Sequence, residues 1–463
     1  MKRAAAVPLK RLWLTAPDGA PRPYQVLSRV AEVRTLTGQW PQVEEIYRGN
    51  LDWARRAAGR MVLAEALLLM GGFHLRRGEY LPAEPLLREA LGIFRDLGDH
   101  RGAGRAWGDL GAIRQRQGDF PAALEAFGNE LSESAAAGDP VGQLYAHGNM
   151  AIIHFYRGEY PAALDRFERR LALARELGDE RVIGHTIGNM GVVHRSTGDL
   201  DRAMECYRQD CAVNRRTGDR NGTAVALGNI GIIHLSRGEL DQAAACFAEK
   251  LAIAESMGDR IGLKSAIGYL CLVECDLGRP GAALPLARRH LALAEELGEK
   301  KSIAEALGDL ANIHGDLGDA AAAERCLARA LAIERELGLK YYLCEHLCHR
   351  AELRWAAGDG TARGMAEEAA ALAAEVTRAD VELGSRLLLA RIAAAADPAE
   401  GARLTRELAP RFPGDEAQAL VARQLFELTG DQDQRRRALE LYRELQKKSK
   451  KYRYRQAIEE VSR

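Results

Sequence analysis

The sequence predicts an all-α protein, a solenoid of antiparallel helix pairs, and three observations carry that prediction. Glycine returns at 38, 78, 118, 158, 198, 238, 278, 318 and 358, each 40 residues after the last. Self-similarity at a fixed period of this size marks units that bury their apolar faces only against neighbouring copies. Ala and Leu dominate while aromatic residues make up 6% of the chain, a composition that favours helix over sheet. Between the glycines the apolar residues follow helical spacing, as in "IGNMGVVHRSTGD" (187–199), where Met190, Val192 and Val193 sit together between polar ends.

Each unit reads as two helices of about 17 residues. The first stops at the turn glycine, because a left-handed residue ends a helix at little cost only when it has no side chain. The second carries an alanine five residues after that glycine, at Ala123, Ala163, Ala203, Ala243 and Ala283. It ends at a further break, "LGD" at 97–99 and 177–179, "AGD" at 137–139, "TGD" at 217–219 and "MGD" at 257–259. There Gly stops one helix and Asp is placed to cap the next. The organisation expected is an N-terminal extension over 1–22, nine repeats over 23–378, and degenerate repeats with capping helices over 379–463. A closing helix near 453–462 would cover the last exposed apolar face.

These residues resemble the tetratricopeptide repeat. The match consists of a small residue seven before the turn glycine (Gly111, Ala151, Gly191, Gly231), the alanine five after it, and an aromatic residue nine after it (Phe127, Phe167, Tyr207, Phe247). The usual period of that family is 34 residues. The longer unit here is similar to kinesin light chain and to the Leu-Gly-Asn repeat polarity adaptors. The resemblance implies a right-handed superhelix whose first helices line a concave surface, and a non-enzymatic scaffold that binds protein or peptide.

Glycine also recurs inside the first helix, ten residues before the turn, at Gly108, Gly148, Gly188 and Gly228, and again at Gly268 and Gly308. An interior glycine costs about 1 kcal/mol against alanine, so something must approach these helices closely. The next residue is polar through the array: Asp109, Asn149, Asn189, Asn229, Tyr269, Asp309 and His349. An asparagine side chain offers one acceptor and two donors, enough to bracket a peptide C=O and N–H. Helices pack about 8–10 Å apart and an extended chain advances about 3.3 Å per residue, so successive amides suit every third peptide bond. The resemblance implies that Asn149, Asn189 and Asn229 clamp a ligand main chain, with the four glycines giving the ligand backbone close access. The family's second Asn is replaced by Ile152, Val192 and Ile232, which makes the expected groove greasier.

On the same helical face Tyr145, Phe155, His185, Leu235 and Leu272 suggest an apolar centre. Arg76, Arg105, Arg116 and Arg195 lie toward the amino-terminal end, and Asp276, Glu305, Asp309, Asp316 and Glu345 toward the other. A basic-to-acidic grade would orient a bound peptide with its acidic part at the arginines.

Other features point away from catalysis. Lys plus Arg and Asp plus Glu number 65 each, so no net field attracts nucleic acid or membrane. Histidines 74, 154, 194, 234 and 314 recur in frame, but repeats set equivalent residues about a helix diameter apart, too far for a shared metal. They are expected to pack with their rings hydrogen-bonded. "CEHLCH" (344–349) does not have metal or haem spacing, and Cys206, Cys246 and Cys326 read as small buried hydrophobes. The basic "QKKSKKYRYR" (446–455) reads as a solvated terminal helix. No phosphate loop, dinucleotide fingerprint or nucleophile elbow occurs, so no catalytic set, cofactor or metal is expected. The lack of a signal-peptide core, of a membrane-length apolar run and of a disulfide framework points to the cytoplasm. The alternative reading is the sensing arm of a bacterial signalling ATPase or nucleotide cyclase, whose tails "LFELTGDQDQRRRALELYRELQ" resembles.

Overall fold

The computed structural model describes residues 40–463 apart from 58 and 450, and does not describe the side chain of Ala57. The expected N-terminal extension and the first helix of the first repeat, with Gly38, lie outside the described residues. All regular structure among them is helical, in 22 helices. The first eight are α1 (Trp40–Ala57), α2 (Arg60–Arg76), α3 (Tyr80–Leu97), α4 (His100–Arg116), α5 (Phe120–Ala136), α6 (Pro140–Tyr156), α7 (Tyr160–Glu176) and α8 (Glu180–Ser196). There follow α9 (Leu200–Thr217), α10 (Arg220–Ser236), α11 (Leu240–Met257), α12 (Arg260–Asp276), α13 (Pro280–Leu297), α14 (Lys300–Asp316), α15 (Ala320–Leu337) and α16 (Lys340–Ala356). The register then shortens through α17 (Ala362–Glu375), α18 (Ala379–Ala394), α19 (Pro398–Leu408), α20 (Asp415–Thr429), α21 (Gln432–Lys448) and α22 (Tyr452–Ser462). Packing divides the chain within α9 into two compact units, one up to Gln209 and one from Asp210. In each, antiparallel pairs stack in sequence as a tetratricopeptide-like solenoid. Even-numbered helices up to α16 are first helices of their repeats.

Glycines 78 to 358 stand at every twentieth position with φ between 58° and 81°. At the first of these turns the N–H of Glu79 bonds His74 O at 2.9 Å and that of Gly78 bonds Leu75 O at 3.0 Å, which satisfies carbonyls that α2 would otherwise leave open. The capping aspartates accept as expected, Asp99 from Gly102 N (3.1 Å), Asp139 from Val141 N (3.2 Å), Asp179 from Val182 N (3.0 Å) and Asp219 from Gly222 N (2.8 Å). Asp259 makes no such bond. Past Gly358 the periodic glycine is lost, and Thr377 takes φ 58° in its place.

The three residues that carry the repeat resemblance meet in space. A Cβ on Gly111, Gly191 or Gly231 would lie 2.6, 2.8 or 2.7 Å from the ring of Phe127, Tyr207 or Phe247. The small residue thus exists to seat the aromatic ring of its own second helix. Phe127, Phe167, Tyr207 and Phe247 are all fully or almost fully buried, together with Ala123, Ala163, Ala203 and Ala243. Burying a ring of this size contributes roughly 1.5–3 kcal/mol, well above the glycine's cost of about 1 kcal/mol.

The tail departs from the solvated helix expected of it. Residues 446–455 are shared between the end of α21 and the start of α22. Ser449 lies where a Cβ on Gly238 would stand, 2.6 Å from its Oγ, and the Tyr452 ring covers Gly278 in the same way. Lys451 approaches Asp276 at 3.2 Å, and Tyr454 is buried. The turn glycines of two repeats in the second unit are therefore docking points for its own C-terminal segment.

Candidate functional site

On the first-helix face of the first unit, Arg105 and Asp109 share a side of α4, Tyr145 and Asn149 of α6, and His185 and Asn189 of α8. Each pair is four residues apart, so both side chains point the same way. Asn229 holds the equivalent place on α10 in the second unit. All three asparagines are half-buried, and none makes a side-chain hydrogen bond among the described residues. Their donors and acceptors are neither sealed in the core nor used within the repeat. Tyr145 is 54% exposed, Arg105 and His185 are exposed, and Ile152, Val192, Ile232 and Phe155 are half-buried.

Arg76, Arg105, Arg116 and Arg195 make no ion pair or hydrogen bond among the described residues. Their neighbours do, as in the bond from Arg114 to Glu84. The acidic series fares differently. In the second unit Asp276 pairs with Lys451 at 3.2 Å, Glu345 with Arg378 at 3.1 Å, and Glu305 faces Lys301 at 3.8 Å. Much of the expected acidic end is thus paired from within: Lys301 stands one turn before Glu305, Arg378 directly precedes α18, and Lys451 comes from the C-terminal segment, whose return the 40-residue pattern does not show.

The interior glycines need a different reason from the one the sequence suggests. Gly148, Gly188 and Gly228 are buried. A Cβ on Gly108 would meet Glu130 at 2.7 Å, on Gly148 Arg170 at 2.9 Å, on Gly228 Lys250 at 3.0 Å and on Gly268 His290 at 3.2 Å. The close approach comes from an ionisable side chain of the repeat's own second helix, 22 residues on, rather than from a ligand backbone. At Gly308 the position 22 residues on is Ala330, and His346 from the next repeat fills the space.

Burial shifts the titration of these groups. Glu130 is 6% exposed and its Oε2 has no partner; burial first, then the charge of Asp109, push its carboxyl up to about 8. Asp109 is raised to about 6 by burial, against the pull of Arg105 and Arg76. Burial lowers Lys250 and His290, and Lys250 donates to Ser265 Oγ at 2.9 Å. Asp309 is raised to about 7, mainly by burial, with His290 Nδ1 3.9 Å away. His346, which faces Gly308, is hydrogen-bonded to the fully buried Glu334 at 2.6 Å.

Three of the five in-frame histidines are hydrogen-bonded locally, as expected, to a partner not evident in the sequence, while the His194 ring makes no such bond among the described residues. His74 and His154 contact Glu79 and Glu159, both at 2.6 Å, His234 contacts Glu239, and His314 lies 3.7 Å from Asp319. The acid just past the turn glycine is the signal that finds it. Among the described residues no group of His, Cys, Asp or Glu is arranged to hold a metal, and no helix is long and apolar enough to cross a membrane. Cys206, Cys246 and Cys326 are half-buried rather than core residues.

A stacked helix-pair scaffold with a polar-edged face is the class of protein these features define. The chain belongs to the tetratricopeptide repeat proteins: two family models, both described as tetratricopeptide repeat, match residues 62–128, 142–214 and 265–336, and residues 226–261. No curated protein sequence matches the chain. Among solved structures, the apo form of RapI is similar at a TM-score of 0.61 and 13% identity, over 77% of this chain and 98% of that one. The STAND signal-transduction ATPase with a tetratricopeptide repeat sensor from Pyrococcus horikoshii reaches a TM-score of 0.57 at 14% identity, over 77% of this chain and 54% of that one. A kinesin light chain with nearly identical repeats from Podosopora anserina matches 42% of this chain and 96% of its own at a TM-score of 0.37 and 14% identity. The chain is a tetratricopeptide-repeat protein-binding domain, of a family that is typically non-catalytic.

Proposed function

We propose that the chain is a non-enzymatic scaffold that holds an extended peptide against its first helices. Asn149 and Asn189 bind the ligand main chain in the first unit and Asn229 does so in the second. The observation that supports this most directly is the state of the three amides, half-buried, accessible and without a hydrogen bond of their own. A polar group held partly desolvated and unpaired gains more from a ligand than one already satisfied. The unpaired arginines of the first unit favour a ligand whose acidic part lies there, and Tyr145 and Ile152 offer apolar contact beside them. Rigid helices lower the ordering cost on the protein's side.

The test is a peptide array of extended sequences, acidic, neutral and basic, probed with the full chain and with the Asn149→Ala/Asn189→Ala/Asn229→Ala variant. Three lost hydrogen bonds at about 0.5–1.5 kcal/mol each predict a loss of at least tenfold, with helicity unchanged. Equal binding by the two proteins would remove the proposal. A second reading, the sensing arm of a larger signalling system, is favoured by the sensor role in the name of the Pyrococcus protein. It requires that the bound chain alter the activity of a partner ATPase or cyclase, and an assay of that activity with and without this chain separates the two.

A further inference from the structure

The second unit contains a cavity of about 1030 Å³, bounded by Asn312 of α14, by α16, Arg378 and the start of α18, residues 411–414, the start of α20, and Leu445 and Arg453. Its volume is at the upper end of the roughly 300–1,000 Å³ typical of small-molecule sites. The wall is rich in charge, yet every charge is already matched. Arg378 lies between Glu345 (3.1 Å) and Asp380 (2.8 Å), and Arg453 pairs with Glu416 at 3.0 Å. Arg411 pairs with Glu382 at 2.9 Å, Glu352 with Arg391 at 3.1 Å, and Asp415 with Lys448 at 3.0 Å.

The groups left over are neutral. His349 has its Nδ1 buried without a partner, and burial holds the ring below its usual range, so it stays uncharged at neutral pH. Cys348 is pushed up to about 11 by burial and stays a thiol. Asn312 is exposed and makes no side-chain hydrogen bond among the described residues. Val381, Phe412, Leu420 and Leu445 supply apolar surface. A charged ligand entering here would lose water and find no free counter-charge. An uncharged one would find apolar walls, an amide and an imidazole.

We infer that this cavity binds a small uncharged ligand carrying an aromatic or other apolar group together with an amide or hydroxyl, at a site separate from the peptide-holding asparagines. Three probes of one shape and different charge test it on the full chain by calorimetry and saturation-transfer NMR: N-acetyl-tyrosinamide (neutral), N-acetyl-tyrosine (anionic) and tyrosinamide (cationic). The neutral probe is expected to bind saturably and at least about tenfold more tightly than either ion. Leu420→Glu, which places a carboxylate on an exposed wall residue, and His349→Phe, which removes the imidazole, should each weaken it by a similar factor with far-UV circular dichroism unchanged. The Asn149→Ala/Asn189→Ala/Asn229→Ala variant should bind it as the parent does. No saturable binding of the neutral probe, equal affinity for all three, indifference to both cavity substitutions, or loss in the asparagine variant would each overturn the inference.

Discussion

Replacing Glu130 by Gln should change the pH dependence of the first unit's stability more than its stability at low pH. The carboxyl is buried beside Gly108, its Oε2 has no partner, and its folded-state value is about 8. A carboxyl raised on folding binds its proton more tightly in the native state than in the unfolded chain. Stability from this group is therefore complete below the unfolded value of about 4.3 and is lost as pH rises toward and through 8. The gap is between three and four pH units at about 1.4 kcal/mol each, so the loss between pH 5 and 9 is of order 4 kcal/mol. Asp109 ionises first, and its charge is part of what holds Glu130 protonated, so the two titrate as a pair. Gln keeps the shape and cannot ionise, so Glu130→Gln should match the parent near pH 5 and exceed it by several kcal/mol at pH 9. Hydrogen exchange over α4 and α5, with the two proteins compared at each pH, reads local opening in an array that need not unfold in one step. A difference between them that is the same at pH 5 and pH 9 would refute the reasoning.

Two further predictions concern packing. Gly231→Ala places a methyl 2.7 Å from the Phe247 ring and should destabilise by about 1–3 kcal/mol despite the better helix former, whereas Gly92→Ala, with nothing within 4 Å, should stabilise by up to about 1 kcal/mol; urea titrations followed by circular dichroism give both signs. Tyr452→Ala uncovers Gly278 and loosens the tail, so hydrogen exchange at the turns around Gly238 and Gly278 should speed up while that around Gly78 does not change.

Much of this architecture is legible in the residues because glycine has few substitutes at positive φ. The turn at Gly198 follows from spacing alone, and the family pattern marks Gly191 and Tyr207, though the seat of the ring on the glycine is seen only in the structure. The class of the Asn149 position, polar and not core, follows from its chemistry. The function of Gly148 does not, because the group that needs the space, Arg170, lies 22 residues away on a helix whose own pattern marks it only as charged. The same is true of Asp276 and Glu345, whose partners Lys451 and Arg378 come from a part of the chain where the 40-residue register has lapsed. Periodicity predicts contacts between neighbouring units and cannot predict a segment that folds back over several of them.

The positive-φ glycines at every twentieth residue also govern how such a chain can change length. One residue inserted within a helix would swing all that follows, up to the next glycine, by about 100° and turn its apolar stripe into water. Forty inserted together would keep each kind of contact and add one more layer. A molecule built this way lengthens by duplication rather than by drift, and its span is set in whole steps.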